Sequence, residues 1–162
     1  SQYYLESIKK QLSYYKSLGE KAIDQIEEKE LFYTENENTN SIAVIIKHLH
    51  GNMLSRWTDF LTTDGEKTWR KRDDEFENDQ EDKSAILKMW EDGWGCLFKA
   101  IHTIKQDQLT EIVFIRGEKH FVLEAINRQL AHYSYHVGQI VFAAKQMKKA
   151  EWDSLSIPKR KH

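Results

Sequence analysis

Apolar residues recur at spacings of three and four through most of the chain, the period of a helix with one face turned inward. From Gln2 to Phe32 the series Leu5, Ile8, Leu12, Tyr15, Leu18, Ala22 and Ile26 predicts an amphipathic helix with a charged outer face. Gly19 weakens that helix locally without ending it. The polar stretch Thr34 to Asn40 predicts a loop, with Asn40 or Ser41 capping the helix that follows. A second helix is expected from Ile42 to Leu61, carrying Ile42, Ile45, Ile46, Leu49, Met53 and Phe60 inward until Thr62-Thr63-Asp64-Gly65 breaks it. The charged stretch from there to Asp79 contains Trp69 and Phe76 and reads as a long surface excursion with some order. Loops of that length in compact domains often form lids or rims.

A third helix is expected from Asp82 to Ile104, with Ile86, Trp90, Leu97 and Ile101 on one face and Gly93 and Gly95 placed for close helix approach, within the molecule or between copies. Ile112-Val113-Phe114-Ile115, then Gly117, then His120-Phe121-Val122 predict a small hairpin or an irregular link. A last helix should run from Leu123 to Lys149, with an irregular tail beyond Trp152. The expected fold is all-α: one domain over residues 1–162, an antiparallel four-helix bundle with a hairpin before its last helix.

Composition supports that picture. The one proline, Pro158, lies near the end, so long segments are free to be helical. A chain of 162 residues with 40% hydrophobic and 31% charged residues has the make-up of an ordinary globular domain. A net charge of -2 gives no general attraction to nucleic acid or anionic membrane, and the basic tail Lys159-Arg160-Lys161 is too short to supply one. The single Cys96 excludes an internal disulfide and fits a reducing cytoplasm; buried packing is its commoner role on such a helix. No apolar run is long enough to span a bilayer, and no basic-then-apolar leader opens the chain.

The candidate chemistry lies in histidines. His132 and His136 stand one helical turn apart, in a stripe with Ala125, Gln129, Gln139 and Ala143, beside the apolar stripe of Ile126, Leu130, Tyr133, Val137 and Ile140. Such a pair can share a metal ion, although two histidines at this spacing also occur as hydrogen-bonded residues at a core edge. The second helix offers His48 and His50, about 200° apart on the helix, so one site takes only one of them. Periodicity does not choose between them: His50 lies nearer the apolar edge, while His48 shares a stripe with Ile45, Asn52 and Arg56. The zinc-protease pattern is absent, because Tyr133 stands where its catalytic Glu would follow the first histidine.

The sequence His48-Leu49-x-Gly51-Asn52-Met53-x-Ser55-Arg56-Trp57, followed by His132-x-x-x-His136-Val137-Gly138-Gln139, resembles the DinB-like (YfiT-like) family of metalloenzymes, and is closest to a bacterial subgroup of undefined function. The resemblance extends to Ile115-Arg116-Gly117 and the Leu155-Ser156-Ile157-Pro158 tail. It implies that His48, His132 and His136 ligate one divalent ion, zinc or nickel above all, and that His50 belongs to the surface or rim. Asn52, Arg56, Arg128, Gln129 and Gln139 are then candidates to orient the imidazoles or contact substrate.

The resemblance further implies a homodimer acting on a small molecule, while charge and the single cysteine lead to the expectation of a cytoplasmic protein with no nucleic-acid or membrane partner. Its reaction would be transfer of a low-molecular-weight thiol, such as bacillithiol or mycothiol, to an electrophile. A metal-dependent hydrolase and a non-catalytic, stress-related dimer with a structural or vestigial site are the alternatives. Arg56, Arg70, Arg72, Arg116 and Arg128 are candidates to bind an anionic substrate, Arg56 and Arg128 foremost because they lie near the histidine stripes. Trp57, Trp90 and Trp94 read as core, and His102 and His120 have no partner at ligand spacing.

Overall fold

A computed structural model describes residues 2–77 and 81–160. Residues 78–80 of the expected excursion and Lys161 of the basic tail lie outside the described residues. The chain is mostly helical, with α1 (Gln2–Asp24), α2 (Glu28–Leu31), α3 (Ile42–Trp57), α4 (Lys83–Thr103) and α5 (Val122–Lys148). Between α4 and α5 lies a two-stranded antiparallel hairpin, β1 (Ile112–Ile115) and β2 (Glu118–Phe121).

The helix starts are set by local donors and acceptors. Ser41 Oγ accepts the Val44 N–H at 3.1 Å, and Asp82 Oδ1 accepts the Ala85 N–H at 2.8 Å, each satisfying a donor the first turn leaves free. At the head of α5 the Glu124 carboxylate accepts the Phe121 N–H at 2.9 Å. The hairpin pairs Ile112 with Phe121 and Ile115 with Glu118, and turns through Arg116 and Gly117, both at positive φ (53° and 75°). That is the geometry a two-residue hairpin requires, and Gly117 takes it without steric conflict.

α1 packs along α5 and α3 along α4, while α3 also meets α5 and α1 meets α4. Leu12, Ile46, Leu49, Trp94, Leu97 and Val137 are buried between them, as are Trp57 and Trp90. A Cβ at Gly93 would sit 3.2 Å from the His50 Cα, so this glycine lets α3 and α4 approach closely; Gly95 faces open space instead.

Three boundaries differ from expectation. The first helix does not reach Phe32: after Asp24 it tightens through Gln25 N–H to Ala22 O and Ile26 N–H to Ile23 O, and resumes as α2. The four helices expected are therefore five among the described residues. The second helix stops at Trp57, not Leu61, because Asp59 takes a positive φ of 47° that a helix cannot continue; Phe60 is still buried. The second strand is Glu118–Phe121, and Val122 already belongs to α5.

Candidate metal centre

His132 and His136 project from one face of α5, and His48 reaches them from α3. His48 Nε2 lies 3.2 Å from His132 Nε2, and His136 Nε2 lies 3.0 Å from the same atom. One ligand atom from each residue falls within 4.8 Å of the other two, a group that can hold a metal ion. His50 is half-buried, with its Cα packed against Gly93 of α4, and is not one of the three.

A count of protons shows what this cluster is suited to bind. His48 Nδ1–H donates to Glu75 Oε1 at 3.1 Å, and His136 Nδ1–H donates to Gln139 Oε1 at 2.8 Å. With their protons on Nδ1, both rings present a bare Nε2 lone pair to His132 Nε2. A neutral His132 can supply one proton to one of them, and the other lone pair is then left without a donor. A cation among the three nitrogens removes that deficit, so the residues fit a divalent ion. The two imidazoles of α5 are also kept uncharged. Burial, then the neighbouring His136 and His48 and the charges of Arg56 and Arg70, push His132 down to about 3. Burial pushes His136 down to about 4, against the opposing hydrogen bond to Gln139. Neutral imidazole is the form that ligates.

Behind His48 stands a carboxylate that sequence reasoning missed. Glu75, in a 3-10 turn of the long loop, is buried and gripped by Arg70, whose Nη2 and Nε donate to Oε1 and Oε2, each at 2.9 Å. Burial alone would raise the Glu75 pKa, yet the hydrogen bonds from His48 and Arg70 hold it below the usual range. An ionised acceptor on Nδ1 fixes the ring's tautomer and orientation and raises the basicity of Nε2. Arg70 is anchored in turn by Glu66, with Nη1 3.4 Å from Oε1, and its side chain is 2% exposed. The charged, aromatic-bearing loop was the one signal in the sequence; nothing singled out Arg70 and Glu75 as a pair.

The other candidates divide. Gln139 touches His136 directly. Asn52, Arg56, Arg128 and Gln129 instead line a cavity of about 350 Å³ together with His48 and His132. Asn52 is set by a buried chain in which Trp57 Nε1–H donates to Tyr133 Oη at 2.9 Å and Tyr133 O–H donates to Asn52 Oδ1 at 2.7 Å. Cys96 is half-buried at a separate cavity with Thr58 and Phe60, and His102 bonds the Phe98 carbonyl. Among the described residues, no helix is long and apolar enough to cross a membrane.

The family model described as "Protein of unknown function (DUF1572)" matches residues 1–161, so the chain belongs to that family. No curated protein and no solved structure matches it.

Proposed function

We propose that this member of the DUF1572 family is a divalent-metal-dependent enzyme that joins a low-molecular-weight thiol to a small electrophile. The observation that carries the reading is the convergence of three imidazole nitrogens from two helices, with His48 and His132 lining the adjoining cavity. Such a donor set suits zinc or nickel, and three protein ligands beside open space characterise catalytic sites, not the closed four-ligand shell of structural ones. When bound, the ion supplies acidity, lowering the pKa of a coordinated thiol or water into the neutral range.

The chain's own residues hold the geometry. Glu75 and Gln139 fix two of the imidazoles, and the cavity walls receive the reactants. In the transfer, sulfur forms the new bond to carbon, the thiol proton passes to solvent, and the leaving group departs with its bonding pair. The thiol assignment rests on the likeness of His48-Leu49 and His132-x-x-x-His136 to the DinB-like metalloenzymes, as does the homodimer; the cytoplasmic location rests on the single Cys96. The pairing of α1 with α5 and of α3 with α4, cross-packed along a shared core, supports an antiparallel four-helix bundle as the framework.

Zinc- and nickel-loaded protein, assayed in parallel for thiol consumption with an alkyl halide and for hydrolysis of an activated ester, tests this directly. The expected result is metal-dependent loss of free thiol, abolished in His132→Ala. Ester hydrolysis without thiol consumption would reassign the chain as a hydrolase. Neither reaction in fully loaded protein would leave a structural site in a non-catalytic dimer.

A further inference from the structure

Five of the chain's six arginines, Arg56, Arg70, Arg72, Arg116 and Arg128, line the cavity beside the histidines, and among the described residues no carboxylate lines it. Most have internal work. Arg70 is taken by Glu75 and Glu66, Arg116 Nε lies 3.4 Å from Glu66 Oε2, and Arg72 rests over the Phe76 ring. Among the described residues, five guanidiniums line this concavity and the carboxylates that pair with them are two, Glu66 and Glu75.

Arg56 is the exception that needs explaining. Its side chain is 4% exposed, Nε and Nη1 have no hydrogen-bond partner among the described residues, and Glu66 Oε2 comes only to 4.0 Å from Nη1. Buried donors are almost always satisfied, and a buried charge without a partner is among the least favourable arrangements a fold can hold. On the same wall Gln129 is 1% exposed, and its Oε1 has no partner among the described residues. Asn52, 4% exposed, lines the same wall with its Oδ1 accepting the Tyr133 hydroxyl.

We infer that this cavity is an oxyanion subsite, in which Arg56 grips the carboxylate or phosphate of the molecule that the neighbouring histidine centre acts upon. The planar guanidinium fork matches either oxyanion in a way that a lysine would not. Arg128, exposed on α5, adds charge from the same wall as Gln129. This deepens the enzymatic reading by naming a feature of the substrate, and rests on that reading only for what happens after the anion is held.

The test uses the whole chain, stripped of metal and freed of chelator by dialysis, because common chelators are themselves polycarboxylates. Sodium phosphate and sodium malonate are titrated by calorimetry and by thermal midpoint, against sodium chloride at equal ionic strength. Saturable binding of phosphate or malonate is expected, and whichever binds tighter identifies the oxyanion. Arg56→Met should weaken that binding roughly tenfold or more, and Arg128→Ala a few-fold. In anion-free buffer Arg56→Met should keep or raise the thermal midpoint, since it removes a buried charge whose Nε and Nη1 lack hydrogen bonds and whose carboxylate, Glu66, stands 4.0 Å away, whereas an arginine with a purely structural role would lower it. Stabilisation no greater than with chloride overturns the inference, as does binding undiminished in both variants; if Arg56→Met does not fold, Arg128→Ala decides. Metal titrations of the same samples separate the two claims, because loss of one binding event with retention of the other sinks only its own.

Discussion

At position 51 any side chain would overlap the Glu75 carboxylate, so Gly51 is the notch in α3 through which Glu75 reaches His48. The carboxylate is the end of a flexible side chain, but Arg70 pins it from behind, so a methyl group there would push it off the imidazole. Gly51→Ala should leave the fold intact, since alanine favours the helix by up to about 1 kcal/mol. Metal affinity should drop roughly 10- to 100-fold, the usual effect of losing the partner behind a ligating histidine. Competition against a chromophoric chelator measures it, and unchanged affinity would show that Glu75 does not orient His48. Gly51 stood in the sequence without any sign of this role. The His132 and His136 pair was legible, because helical periodicity fixes which side chains share a face. The choice of His48 over His50 was not, because periodicity says that they diverge and nothing about which neighbour each helix face meets. Glu75 lies 27 residues from its imidazole in irregular backbone, where no period links the two.

The elements around the site are stitched together by groups of the same loop. Ser55 Oγ donates to the Gly65 carbonyl at 2.9 Å and accepts the Lys67 N–H at 2.8 Å, which ties the loop to α3. Gly65 N–H donates to the Phe114 carbonyl at 2.8 Å, and the Asp64 carboxylate accepts the N–H groups of Arg116, Gly117 and Glu66. Burial works against the Asp64 charge, yet those backbone donors outweigh it and hold the carboxyl below its ordinary value of 3.8. A lowered carboxyl stabilises the fold above its unfolded pKa and loses that contribution as pH falls through the folded one. Asp64→Asn should therefore destabilise the protein by about 1 kcal/mol near neutrality, with the difference from wild type shrinking below about pH 4. Urea melts across that range would show it; a constant difference would mean that the contribution is steric. The loop's existence and the turn at Gly117 were readable from breakers and alternation. Its anchoring was not, nor was the break after Asp24, because the helical pattern continues through Ile26 while the backbone tightens beneath it.

On the scale of the whole molecule, the histidines sit where the α3–α4 pair meets the α1–α5 pair. His48 belongs to one pair and His132 and His136 to the other, so an ion held by all three clamps the seam. Binding to the folded chain alone then adds to its stability, by about 3–4 kcal/mol at ion concentrations 100 to 1,000 times Kd. The measurement that tests this most directly is the metal content of untagged protein after equilibration with zinc or nickel, read beside its thermal midpoint. The account predicts about one ion per chain and a raised midpoint in the wild type, both lost in His132→Ala. Wild-type protein that retains no stoichiometric ion, with a midpoint indifferent to either metal, would contradict it.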